Sequence, residues 1–144
     1  MSSPDLLSAG DVQRVVAAIG AAEELTIGEI RVHIEKRCWG DPYARAQRVF
    51  YKLGMQNTAK RTGVLIYIAH LSRKAAIIGD QGINEKVDTG FWKSILDSEL
   101  KNFASGKFAD GICDAIAASG KVLADHFPKT PGNLNELSNE ISFG

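Results

Sequence analysis

Gly63-Val-Leu-Ile-Tyr-Ile-Ala69, His70-Leu-Ser-Arg-Lys74 and Ala75-Ala-Ile-Ile78 form the stretch that decides the fold. The first run is apolar on both of its faces, which predicts a central strand covered from both sides. The third is a second apolar strand. The connector between them is too short for a crossover, so the two strands pair as an antiparallel hairpin. Upstream, Glu29-Ile-Arg-Val-His-Ile-Glu35 alternates with a period of two. Ile30, Val32 and Ile34 share one face, and Glu29, Arg31, His33 and Glu35 share the other. That pattern predicts a strand with one buried and one polar face. A helix separates it from the central strand, and a strand–helix–strand unit predicts a parallel crossover. The sheet is therefore mixed.

Helices fill the rest of the chain. Ser8 and Asp11 have capping-box spacing, with Asp in place of the usual Glu or Gln. Val12, Val15, Val16 and Ile19 follow as one apolar stripe running to about Glu23. Asp41-Pro42 starts a second helix: Asp caps free amides, and Pro has a preset φ and no amide to leave unpaired. Tyr43, Ala46, Phe50 and Leu53 are its expected inner face, and Gly54 its end. Gly79-Asp-Gln-Gly82 leaves the sheet, and Ile83 to Val87 reads as a short helical turn. Asp88-Thr89 is the expected cap of a longer helix carrying Phe91, Trp92, Ile95, Leu96, Leu100 and Phe103, broken at Ser105-Gly106. A last helix presents Phe108, Ile112, Ala115, Ile116, Ser119, Leu123 and Phe127 on one face and stops at Pro128. Residues 1–128 thus read as one domain. Residues 129–144, polar and containing Pro131, Gly132 and Gly144, read as a loosely attached tail. The sum is an α/β fold, a small mixed sheet with helices on both faces.

Composition bounds the function. A chain of 144 residues builds one core without disulfides or a structural metal. Lys plus Arg and Asp plus Glu both number 17, so bulk charge gives no reason to bind nucleic acid or anionic lipid. Cys38 and Cys113 are too few for a disulfide framework or a zinc set, and read as reduced structural thiols. The N-terminus lacks the pattern of a signal peptide. No run approaches the roughly 20 apolar residues of a membrane span. The expected location is cytoplasmic, without membrane insertion.

Several segments carry a resemblance. Leu25-Thr-Ile-Gly-Glu-Ile-Arg-Val32 resembles the first strand of the TPM domain family, and Thr62-Gly-Val-Leu-Ile66 its central strand. Arg73-Lys74 with Ile77 to Gly82 resembles its hairpin and exit loop. Phe103 to Gly111, with Gly106, Phe108, Asp110 and Gly111, resembles its helix junction. Together these span about residues 8 to 128. The resemblance implies a three-layer α/β/α sandwich and divalent metal, calcium or magnesium, bound at acidic loop residues. It also implies acid phosphatase activity in some members, photosystem repair in plant members, and a holdase chaperone role in bacterial ones. The partners so implied are unfolded or membrane-repair client proteins. This sequence shows neither the leader peptide nor the C-terminal anchor of many members, which sets the membrane-tied roles aside.

The residues weigh these roles unequally. A thiol phosphatase needs Cys-x5-Arg, but Cys38 and Arg45 have six residues between them. Asp-x-Asp, Arg-His-Gly and the phosphate-binding P-loop are all absent. Any hydrolysis would rest on a metal that activates water. Hard cations want convergent oxygens, and the candidates are Glu29, Asp41, Asp80, Asp88 and Asp110. Asp80 leads because its flanking glycines let the backbone fold around an ion and a cap role is less obvious there. Asp41 and Asp88 have the alternative of helix capping, Asp110 of favouring a helix dipole, and Glu29 of pairing on a polar face. His33, His70 and His126 have no zinc-site spacing, and no catalytic role is assigned to them. Trp92 reads as core, and Trp39, near a strand end, as a candidate exposed contact. The leading expectation is a metal-binding accessory or stress protein without a dedicated catalytic centre. Its rivals are a weak metal-dependent acid phosphatase and a holdase.

Overall fold

The computed structural model describes residues 7–88, 90–129 and 141–144. The first helix, α1 (Ala9–Glu23), begins with the expected reciprocal cap: Ser8 Oγ accepts the Asp11 amide, and the Asp11 carboxylate accepts the Ser8 amide. The alternating segment is β1 (Glu29–Glu35), and the all-apolar run is β2 (Gly63–Ala69), with α2 (Pro42–Lys52) crossing between them. The strand β3 (Lys74–Gly79) completes the hairpin. It is followed by a single turn α3 (Gln81–Asn84), then α4 (Phe91–Ala104) and α5 (Phe108–His126). Two residues near the end, β4 (Ser142–Phe143), join the sheet.

The strand order is β3-β2-β1-β4. β1 runs parallel to β2 from Glu29↔Gly63 to Glu35↔Ala69, and β2 runs antiparallel to β3 from Val64↔Gly79 to Ala69↔Lys74. The sheet is mixed, as the connector lengths require. One face carries Ile30, Val32, Ile34, Val64, Ile66, Ile68 and Ile77 against α1, α4 and α5. The other carries Leu65, Tyr67, Ala76 and Ile78 against Ala46, Val49 and Phe50 of α2. This is a three-layer α/β/α sandwich with one helix on the thin side.

Several expectations change. The polar face of β1 is not a solvent face: Glu29, His33 and Glu35 are all buried. β1 lies inside the sheet, with β2 on one side and β4 on the other. Its polar groups therefore need partners within the protein. Tyr43 is 45% exposed rather than inward, and Val49 takes the inner position. The long helix α4 is not capped by the Asp88 side chain. Gly90, at φ +96°, is its first flanking residue, and the Asp88 carbonyl accepts the Phe91 amide; Thr89 lies outside the described residues. The expected tail falls mostly outside the described residues too. Its last four are described: Ile141 is buried, Ser142 and Phe143 pair with His33 and Ile34, and Gly144 donates its amide to the Ile34 carbonyl.

Candidate functional site

The five acidic candidates occupy different structural roles. Asp80 caps α3, accepting the Gln81 amide at 2.8 Å. Both its oxygens also take the Arg61 guanidinium, at 2.7 and 2.9 Å. The cap role judged less obvious from sequence is therefore present. Asp41 caps α2 through the Tyr43 amide at 3.2 Å. Asp110 pairs with Arg14 of α1 at 2.8 Å. Asp88 is exposed, and no described residue pairs with its carboxylate. Glu29 is buried at the start of β1 beside Glu23, whose carboxylate accepts the Ile30 amide at 2.7 Å. Burial raises Glu23 to about 8; the Ile30 amide opposes the rise, and neighbouring Glu29 adds to it.

Glu29 and Asp80 share one end of the sheet, flanking Gly63 of β2: Glu29 pairs with Gly63, and Asp80 donates its amide to the Gly63 carbonyl. Asp41 follows β1 at the other end. Among the described residues no three His, Cys, Asp or Glu side chains converge as a metal set. By themselves, then, the five residues do not form the oxygen cage that calcium or magnesium needs.

A different cluster forms at the C-terminal end of β1. The parallel register sets His33 beside Tyr67, and their rings stack with centroids 6.0 Å apart. Two residues further on, Glu35 collects the site. Arg45 of α2 donates two hydrogen bonds to it at 2.9 Å, the Tyr67 hydroxyl donates another, and His33 Nε2 lies 3.3 Å away. His33 Nδ1 lies 3.0 Å from Ser142 Oγ of β4. Burial would push the Glu35 carboxyl up, but the hydrogen bonds from Arg45, Tyr67 and His33 hold it at about 2. Burial lowers His33 and raises Tyr67. At neutral pH the cluster is a fixed set of charges: anionic Glu35, cationic Arg45, neutral His33 and un-ionised Tyr67. A general base needs a pKa near the working pH and a free lone pair. Glu35 has neither, so this cluster positions side chains rather than moving protons.

Directly after β1, the loop from Lys36 to Asp41 is held by contacts of its own. The Cys38 amide donates to Ser72 Oγ at 2.9 Å, and Lys74 Nζ donates to the carbonyls of Cys38 and Gly40 at 3.1 and 2.8 Å. The Lys36 carbonyl accepts the Leu71 amide at 2.8 Å. This pinned loop carries Trp39, 86% exposed, with the Arg37 guanidinium 5.7 Å from its ring centre. Behind it lies a cavity of about 320 Å³ whose lining includes Arg37, Trp39, Arg45 and Arg48. An exposed tryptophan on a rigid loop among arginines is suited to recognition. The cavity lies at the C-terminal end of a parallel strand, where open α/β sheets place their ligands.

Sequence reasoning singled out Trp39 and not its setting. Glu35 and His33 were legible as one face of β1, while Tyr67 stood within a run read as apolar on both faces. Their meeting depends on a register that no local pattern specifies. Glu99 was missed altogether. It sits within the apolar stripe of α4, is 1% exposed, and neither of its carboxyl oxygens has a hydrogen-bond partner among the described residues.

The comparisons fit this architecture. Residues 2–122 match the model of the TPM domain. BA42, from the psychrophilic bacterium Bizionia argentinensis and solved by NMR, is 41% identical, covering 96% of this chain and 95% of its own, with a TM-score of 0.89. Two NMR structures share the fold at low identity. The N-terminal domain of a protein from P. gingivalis is 17% identical over 87% of this chain and 83% of its own, with a TM-score of 0.69. The N-terminal domain of a Corynebacterium glutamicum protein is 15% identical over 81% of this chain and 74% of its own, with a TM-score of 0.64. No curated protein matches the chain. Among the described residues no helix is long and apolar enough to cross a membrane. With the family model spanning most of the chain and the fold shared over nearly all of it, the chain belongs to the TPM domain family.

Proposed function

We propose that this TPM domain is an accessory binding module that engages an acidic, aromatic-containing protein segment through the Trp39 loop. The observation that carries the reading is Trp39 itself, almost wholly exposed on a loop held by four hydrogen bonds and flanked by Arg37. Burying so large a side chain against a partner costs little ordering entropy, because the loop is already fixed. Arg37 and Arg48 give the mouth a positive field that favours an acidic partner. Client binding fits this surface. Phosphoester hydrolysis gains nothing from it, since the buried carboxylate is saturated.

The test is a fluorescence titration with a synthetic peptide of alternating Glu and Phe. Trp92 is buried, so an emission change at the exposed tryptophan reports Trp39. Quenching or a blue shift is expected, weakened by salt and by Arg37→Ala with Arg48→Ala, and lost in Trp39→Phe. An unchanged spectrum at millimolar peptide would sink the reading.

One observation favours a second role. Asp88 is exposed, does not cap α4 with its side chain, and forms no ion pair among the described residues. It follows α3 on the segment leaving the sheet end that holds Glu29 and Asp80. A divalent cation there would take Asp88 as a ligand and keep water at its other positions. Calcium-dependent amide shifts at Asp88, absent in Asp88→Ala, would support it; shifts unaltered by that substitution would count against it.

A further inference from the structure

On the opposite face of the sheet, a second cavity of about 490 Å³ opens where the C-terminal end of β2 meets the turn between α4 and α5. Its walls are Ile68 of β2, Leu100 and Phe103 of α4, and Phe108 of α5. Phe103 and Phe108 meet across the helix turn with ring centroids 5.2 Å apart. All three α4 and α5 residues are only half-buried, so an apolar wall faces the opening. The volume lies in the range of small-molecule sites.

Among the described residues the rim has one free charge. Lys74 lines the cavity, but its ammonium is spent on the Cys38 and Gly40 carbonyls. Arg73 is exposed and makes no ion pair among the described residues. Its backbone is independently informative. At φ +54° it holds the left-handed position of the hairpin turn, closing the turn by donating its amide to the His70 carbonyl. Glycine takes that conformation freely, whereas an arginine there is strained. A strained residue at a cavity mouth points to a function for its side chain.

We propose that this cavity binds a small amphipathic anion, an aromatic or branched apolar body bearing one carboxylate, with the Arg73 guanidinium as its anchor. The apolar body lies against Leu100, Phe103 and Phe108. The carboxylate accepts two parallel hydrogen bonds from Arg73, the geometry in which a planar guanidinium is most selective. The site opens on the other face of the sheet from the Trp39 loop, and although Lys74 of its lining holds that loop, no residue from Lys36 to Asp41 lines it.

The experiment is an NMR titration of the full chain with 3-phenylpropionate and, separately, with 3-phenylpropanol. Shifts are expected at Ile68, Leu100, Ala104 and Phe108, with the acid binding at least five-fold more tightly than the alcohol. Arg73→Gly relieves the backbone strain, so its melting temperature should equal or exceed that of the wild type while the preference for the acid disappears. Ala104→Trp, which fills the cavity from its rim, should abolish both sets of shifts. The proposal is overturned if Arg73→Gly retains the preference, if the shifts map to the Trp39 loop instead, or if neither compound perturbs these residues at 10-fold excess over a millimolar (about 1 mM) protein sample.

Discussion

Replacing Glu99 with Gln should change how stability responds to pH more than it changes stability at any one pH. Glu99 projects from α4 beside a cavity of about 190 Å³, whose lining also includes Ser94, Ser98 and Asp114. Burial alone raises its carboxyl from the ordinary 4.5 to about 8. The folded protein therefore holds this proton at neutral pH, while the unfolded chain has released it. The stabilising proton is fully in place in both states below pH 4.5, and the folded state loses ground as pH rises toward 8. Each pH unit in that window costs about 1.4 kcal/mol, so between pH 5 and 7 the wild type loses roughly 3 kcal/mol through this group. For a domain of this size that is a fall in melting temperature of roughly 6–10 °C. Glu99→Gln does not titrate and should escape this loss. Glu23, also raised to about 8, keeps its own slope in both proteins, so the variant should remain pH-dependent but less steeply. The assay is thermal unfolding by circular dichroism at pH 5, 6 and 7. The melting-temperature gap between variant and wild type should widen with pH in the variant's favour. Parallel curves, with a constant gap, would refute an un-ionised buried Glu99.

Other consequences follow from the polar cluster and the loop contacts. Glu35→Gln leaves the Arg45 guanidinium beside a neutral amide and should destabilise the fold by about 3 kcal/mol, read by urea unfolding at pH 7. Because Glu35 is held at about 2, well below 4.5, its contribution is complete above pH 4.5 and is lost as pH falls toward 2; acid titration of Glu35→Gln should lack that part of the transition. Gly82→Ala should lower the melting temperature sharply, by an amount equivalent to about 3 kcal/mol or more. A Cβ there would sit 2.0 Å from the Lys60 carbonyl oxygen and 2.6 Å from that of Arg61, and neither backbone atom can move aside cheaply.

Local chemistry was enough to place most of the elements. The Ser8–Asp11 cap, Asp41-Pro42 and the two strand patterns fix their own boundaries, because capping and periodicity act over a few residues. The hairpin and the parallel crossover follow from connector length, and with them the mixed sheet; the TPM resemblance rests separately on the segments around Leu25–Val32, Thr62–Ile66, Arg73–Gly82 and Phe103–Gly111. Which side chains meet was decided only by the tertiary structure. Glu35 reads alike in sequence whether it faces water or Arg45, Tyr67 and His33, and the choice lies in the β1–β2 register and in the path of α2. Asp80 reads as a loop acid until Arg61, nineteen residues earlier (|i−j| = 19), closes on both its oxygens. Glu99 sits on the buried side of α4 because α5 packs there, and no pattern within α4 announces that its carboxyl will lack a hydrogen-bond partner among the described residues. The physical reason is the same in each case: backbone form is set by neighbours in sequence, while the state of a charged side chain is set by whatever the fold brings within a few ångströms of it.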